Sequence, residues 1–440
     1  MKEQKTKKFS VKMQKKLLCL YALIILAFIL LSVRLTWIVK ADGAAYEKQV
    51  LSQQKYDSIT LPFRRGDIVD AKGTKLAVSE KVYNLVIDAR VMLDREDYLE
   101  PTMEALGANF PDLDMTAVRQ YVTSHPESSW YVPLRRMTYD QISGFQAAAL
   151  ENSKIRGVWF EEEYKRVYPN GSLAADVIGF SRADNEGQYG LEEYYNDVLN
   201  GTTGREYGYL NDDANLERTI KPAVDGNTIH STIDANIQGI VEKYLKQFNE
   251  EHKDAVHPGN GAENVGCIIM EVNTGNILAM ASYPTYNLST FDQDYSKLVS
   301  DTVGTPLLNR AIGGAYAPGS TFKPCTAVAA LESGIITPSS TIVDRGVYDY
   351  YKSPQPRCWI YNEYGGTHGR VNVSQAITVS CNYFFYEAGI RTGMPAIDAV
   401  AKDLGLGEKT GVELFEEQGH RANAESKEAL YADDPSRSGW

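Results

Sequence analysis

Ser320 and Lys323 stand three residues apart in YAPGSTFKPCTAVAALESG, residues 316–334. Pro318-Gly319 predict a turn, after which Ser320 opens a helix that Gly334 closes. Residues three apart on a helix share a face. A serine hydroxyl is a poor nucleophile unless a base takes its proton. A lysine whose pKa is lowered by burial and by its neighbours is such a base. The N–H groups of a helix N-terminus also suit a developing oxyanion. Sixty residues further on, Ser380-Cys381-Asn382 adds a second hydroxyl able to relay a proton and an amide able to hold a substrate amide. The S-x-x-K spacing alone is weak. It recurs at Ser52 and Lys55, without the Pro-Gly turn or the apolar helix, where it reads as a solvated face.

These groups need a scaffold, and its outline is legible. The chain has 440 residues with 43% hydrophobic and 23% charged content, an ordinary globular composition of two or three domains. Residues 1–40 carry nine basic side chains against one acidic, and the remaining 400 carry 36 against 56. An acidic main body argues against non-specific nucleic-acid binding. Residues 17–33, LLCLYALIILAFILLSV, hold no charge, and the apolar run continues past Arg34 to Val39. That length predicts a membrane-spanning helix, with Trp37 at an interface. The lysines before it place the N-terminus in the cytoplasm and residues 41–440 outside. The alternative of a cleaved signal peptide is disfavoured by the length of the run and the lack of a small-x-small site.

Residues 61–89 read as short strands and turns, and 91–155 as helical, punctuated by Pro101, Pro111 and Pro126. The segment YGLEEYYNDVLNGTTG (189–204) reads as a helix closed by Gly201 and Gly204. A boundary falls near 220–230. Beyond it Ile237, Ile240, Val241, Tyr244, Leu245 and Phe248 recur at helical spacing. Val265–Met270 and Ile277–Tyr283 flank Asn273-Thr274-Gly275-Asn276 as a β-hairpin. Two strands are fewer than a sheet covered by several helices normally has, so further strands are expected downstream. The five cysteines (19, 267, 325, 358, 381) show no CxxC or zinc spacing. A disulfide among the last four is open, with free buried thiols expected for most of them. HExxH is absent, and no metal or cofactor is expected.

S-x-x-K, S-D-N and K-T-G together mark penicillin-binding proteins and class A β-lactamases; here Cys381 takes the middle place of the second motif. The chain resembles the class B penicillin-binding proteins, membrane-anchored D,D-transpeptidases that cross-link peptidoglycan. FRRGDIVDAKGTKLA (63–77), RVYPNGSLAADVIGF (166–180) and YGLEEYYNDVLNGTTG resemble the family's three N-terminal boxes. TIDANIQ, TGNILAMASYPTYN, APGSTFKP and RCWIYNEYGGTHGRVNVSQAITVSCNYFF resemble boxes of its transpeptidase domain. No glycosyltransferase motif is found. The resemblance implies an α+β fold: a cytoplasmic tail (1–16), a transmembrane helix (17–39), an α+β pedestal of dimerisation type (41–222) and a penicillin-binding transpeptidase domain (223–440), helices around an antiparallel sheet. It implies Ser320 as nucleophile on the penultimate D-Ala of a stem peptide, Lys323 as base, and Ser380 and Asn382 as relay and positioning groups. Partners implied are the D-Ala-D-Ala end of a stem peptide, β-lactams, the membrane and a polytopic glycosyltransferase.

Lys409-Thr410-Gly411 resembles the third active-site box but lies in LGLGEKTGVEL, similar to a Gly-rich turn that precedes the family's true strand. It is expected to be a decoy, and the domain incomplete, cut before its third box and inactive as it stands. Glu192 is expected to pair with Arg64 or Arg65 as a structural clamp. Two other readings remain: a non-catalytic scaffold of a cell-wall complex, and a β-lactam receptor or β-lactamase, which would not need segment 41–220. A Ser-His-Asp hydrolase is excluded, since no serine sits in G-x-S-x-G.

Overall fold

The computed structural model describes residues 11–53, 58–182, 184–210, 216–252 and 264–433. It is an α+β protein with one long N-terminal helix, Val11–Gln53. Within it Leu18–Trp37 is long and apolar enough to cross a membrane, with a mean hydropathy of 2.6 and no burial. The chain divides into two compact units, each assembled from separated stretches of chain.

The first unit comprises residues 1–64, 81–164 and 201–226. The strand Tyr131–Met137 runs antiparallel to the later part of the strand Lys75–Ile87, with Leu85 opposite Leu134. Helices Leu99–Asn109, Met115–Ser124 and Tyr139–Glu151 pack Leu106, Val118, Val122, Ile142 and Phe145 into one core with Leu85 and Ile87. Asp114 caps the second of these helices through the N–H groups of Thr116 and Ala117, satisfying donors the helix cannot. The helical expectation over 91–155 therefore holds except at the strand. YVPLRRM carries a proline and two arginines, and it is strand by virtue of its pairing.

The second unit comprises residues 65–80, 165–200 and 227–440. Ile68–Val69 pairs antiparallel with the start of Lys75–Ile87 and parallel with Ile229–His230. A buried ionic hub ties its N-terminal segments together. Arg65 Nε reaches Glu192 Oε2 at 2.7 Å with both side chains fully buried. Arg166 Nε takes the other oxygen, Oε1, also at 2.7 Å. The Arg65 guanidinium donates further to the carbonyls of Asn185 and Glu192 and to the side chains of Asn196 and Asn200. The expected clamp is thus Arg65 with Glu192, and Arg166 joins it. Gly66 is required by close approach: a Cβ there would lie 1.9 Å from the Asn227 carbonyl oxygen.

The helix Ala235–His252 and the hairpin Val265–Met270/Ile277–Tyr283 form where the pattern puts them. Val241, Ile237 and Leu245 pack against Ala279 and Ala281. The rest of the apolar face stays open: Ile240, Tyr244 and Phe248 are exposed. Segment 189–204 is two short helices, Gly190–Tyr194 and Asn196–Leu199, rather than one.

Candidate active site

Ser320 lies in a 3₁₀ turn, Gly319–Phe322, that leads directly into the helix Lys323–Glu332. Gly319 takes a positive φ of 56° to enter that turn, and Gly334 one of 69° after the helix. Pro324 at the start of the helix costs no hydrogen bond there. Cys325, Thr326, Ala327, Ala329 and Ala330 are buried, fixing the orientation of the helix, while Ser320 itself is exposed.

The second motif arrives from a separate core. Helices Val373–Thr378 and Asn382–Thr392 bury Ala376, Phe384 and Ala388 against Ala327 and Ala330. Between the helices Ser380 adopts φ 50°, in the left-handed region that a non-glycine residue enters at a cost of about 1–2 kcal/mol. Neighbouring bonds hold it there: Ser380 N–H donates to the Ile377 carbonyl at 3.1 Å and Cys381 N–H to the Ala376 carbonyl at 2.8 Å.

The result is a chain of polar contacts. Ser380 Oγ lies 3.0 Å from Ser320 Oγ. Lys323 Nζ donates to Ser380 Oγ at 2.9 Å, to the Ser380 carbonyl at 2.7 Å and to Asn382 Oδ1 at 2.6 Å. Burial lowers the Lys323 pKa, opposed by the nearby Cys358 and Cys381 thiols. All four residues singled out from the sequence therefore meet in one place. The connection from Lys323 to the Ser320 hydroxyl runs through Ser380.

Lys409-Thr410-Gly411 lies outside any strand. The N–H groups of Thr410 and Gly411 both donate to the carboxylate of Glu416, at 3.0 Å each, and the Thr410 hydroxyl joins them at 2.8 Å. The carboxylate of the protein's own Glu416 thus occupies these donors.

Directly behind Ser380 and Asn382 lies a group that sequence spacing did not reveal. Asp344, Cys358, His368 and Cys381 bring one ligand-type atom each to within 4.8 Å of one another. The ladder pairing Asp344 with Gly369 sets the carboxylate beside His368. Cys358 and Cys381 are each the residue that begins a helix. Both are free thiols, as are Cys19, Cys267 and Cys325.

The comparisons with known proteins agree with this architecture. The family model for the penicillin-binding protein dimerisation domain matches residues 60–231. That for the penicillin-binding protein transpeptidase domain matches 265–432. The chain belongs to the class B penicillin-binding proteins. It is 30% identical over 386 residues to peptidoglycan D,D-transpeptidase MrdA of Escherichia coli, covering 80% of this chain and 57% of that one. It is 29% identical over 414 residues to stage V sporulation protein D of Bacillus subtilis, covering 92% and 59%. It therefore spans less than two thirds of the length of these relatives. Among solved structures it resembles the penicillin-binding protein PBP2 of Helicobacter pylori in complex with MreC, with a TM-score of 0.66 at 22% identity over 86% of this chain and 71% of that one. A peptidoglycan synthase complex gives a TM-score of 0.65 at 24% identity, covering 96% and 72%. These likenesses establish the fold.

Proposed function

We propose that the protein is a serine D,D-transpeptidase that cross-links peptidoglycan stem peptides and is acylated by β-lactams. The observation that carries this is Ser380 Oγ standing within hydrogen-bond reach of both Ser320 Oγ and Lys323 Nζ. Ser320 attacks the carbonyl of the penultimate D-Ala. Its proton passes through Ser380 to the neutral amine of Lys323. The same path returns the proton to the leaving D-Ala amine, and an acyl-enzyme remains. The amine of a neighbouring stem then takes the acyl group. Asn382 orients Lys323 through Oδ1 and presents its amide to the substrate backbone. A β-lactam follows the same first step because its strained amide lies where the D-Ala-D-Ala bond would.

The reading assigns residues 41–222 to the pedestal and 223–440 to the transpeptidase domain. The helix Leu18–Trp37 anchors the protein in the bacterial plasma membrane with its N-terminus in the cytoplasm, and the catalytic domain faces outward. A polytopic glycosyltransferase that supplies the glycan strands is the expected partner, supported by the likeness to a peptidoglycan synthase complex.

The test is fluorescent penicillin on membranes of the source cell, with and without Ser320→Ala. A labelled band that vanishes in the variant supports the reading. No band in the wild type, with the protein detected by antibody, overturns it in favour of a scaffold role.

A further inference from the structure

We propose that the cavity between Asp176, Glu193 and Glu413 binds a small aliphatic diamine, one ammonium at Asp176 and the other at the two glutamates of the mouth. The cavity measures about 330 Å³, at the lower end of the range for small-molecule sites. It lies wholly within the second unit. Its lining from Asp176 to Tyr194 falls in the dimerisation-domain match, and Asn309, Ile312 and 413–415 fall in the transpeptidase match. An occupant therefore touches both family segments.

The floor holds a carboxyl that lacks a partner. The helix Ala175–Ile178 is buried along its whole length, and Asp176 is its one polar side chain, 4% exposed. Asp176 Oδ1 has no hydrogen-bond partner among the described residues. A buried polar atom left so costs free energy that a bound donor offsets. Arg310 acts on Asp176 through its charge, but its guanidinium donates elsewhere. It reaches Asn264 Oδ1 at 3.0 Å, Thr305 Oγ1 at 2.6 Å and the carbonyls of Gly304 and Leu308. Burial pushes the Asp176 carboxyl up to about 8, against a hydrogen bond from Ser282 and the charge of Arg310, with Glu242 adding to the rise. Tyr189 and Tyr286 are the other titratable groups that face it. At neutral pH the carboxyl is mostly protonated, and an ammonium drawn against it sends that proton to solvent. The wall is pre-formed. Gly190 lines it with φ 60°, and a Cβ there would lie 2.5 Å from the Val177 carbonyl oxygen. The Tyr189 hydroxyl is fixed by donating to the Leu307 carbonyl at 3.0 Å.

The lining selects the occupant. It contains three carboxylates, three aromatic rings and no basic side chain. Lys409 is the basic neighbour, its Nζ 5.9 Å from the Phe415 ring centroid. Aromatic faces and carboxylates attract cations, and the acidic mouth repels peptides with free carboxylates. A metal ion is poorly served: among the described residues these three carboxylates do not bring their oxygens within 4.8 Å of one another. Negative charge spread from floor to mouth suits two ammonium groups joined by an aliphatic chain, with Ile312 and Leu414 as apolar wall. Phe415 and Tyr194 are 75% and 59% exposed, open rings that such a ligand covers.

The experiment is calorimetric titration of the purified full chain in detergent with cadaverine, in two buffers of different ionisation enthalpy. The expected result is one saturable site per chain, with close to one proton released per diamine at neutral pH. Affinity should tighten as pH rises and level off above about 8. n-Pentylamine, with a single ammonium, should bind at least about tenfold more weakly. Asp176→Asn should weaken cadaverine binding at least about tenfold and abolish the proton release. Glu193→Gln and Glu413→Gln should each weaken it about threefold. Thermal melts show that each variant is folded, and none of these readouts depends on whether Ser320 is acylated. No saturable binding at about 10 mM cadaverine overturns the proposal. So does affinity undiminished in folded Asp176→Asn, or in a chain carrying both Glu193→Gln and Glu413→Gln. Pentylamine binding as tightly as cadaverine overturns it too. A lysine-containing stem peptide that binds the cavity more tightly than cadaverine overturns it in favour of a substrate subsite.

Discussion

A lysine serves as base only while neutral, so under the proposed mechanism the environment of Lys323 sets the pH range of acylation. Burial disfavours its ammonium form and lowers its pKa. The amine therefore becomes available as pH rises through a value below the ordinary lysine range. Acylation of the full-length protein by penicillin should rise with pH and level off before that range is reached, as stopped-flow labelling across a pH series would reveal. A rise that continues through the ordinary lysine range without levelling off would count against a burial-lowered Lys323 as the base. Lys323→Arg, permanently charged, should abolish the rise along with most of the rate. Ser380→Ala makes a sharper demand, because Ser380 alone connects the amine to the nucleophile among the contacts described. Its loss should slow acylation by about 10²–10⁴-fold, the range of positioned proton transfer. A slowing of less than about threefold would mean that Lys323 reaches Ser320 directly.

At the scale of elements, the hub of Arg65, Arg166 and Glu192 holds segments that the sequence separates by more than a hundred residues. Two guanidinium groups share one buried carboxylate. Glu192→Gln would leave both cations with no buried counter-charge, which costs about 3–5 kcal/mol. Thermal melts of the variant should show this loss of stability, while Glu193→Gln, exposed on the same helix, should melt within error of the wild type. The Arg65–Glu192 pairing was legible because an Arg-Arg-Gly turn and a Gly-Leu-Glu-Glu helix are family boxes. Arg166 also opens a family box, RVYPNGSLAADVIGF, but nothing local in that box shows that its side chain turns to Glu192. The nucleophile helix and the hairpin were legible for local reasons, a Pro-Gly turn and an Asn-Thr-Gly-Asn turn. The strand Tyr131–Met137 was hidden because its pairing with Tyr83–Ile87 comes from tertiary contact. The group at Asp344, Cys358, His368 and Cys381 was hidden for a similar reason. Its members come from a strand end, two helix starts and a loop, and no short spacing connects them.

At the scale of the molecule, charge is divided by one apolar segment. Lysines crowd the stretch before Leu18, and an acidic body follows Trp37. The positive-inside bias predicts that the body lies on the far side of the membrane from the N-terminus. Leu18–Trp37 is wholly exposed within the protein, so its apolar surface has only lipid or another helix to cover it. The full chain should therefore sediment with membranes and resist alkaline carbonate. A version beginning at residue 54 should be released into the soluble fraction, with its thermal transition preserved. If it stays bound, a second membrane contact exists in the body. Orientation is tested separately. Protease added outside intact spheroplasts should digest residues 41–440 and spare an epitope placed before Lys2. If the epitope is digested instead, the chain is inverted and the active site faces the cytoplasm. Peptidoglycan stem peptides outside that membrane would then be beyond its reach, and the transpeptidase reading would fail with the topology.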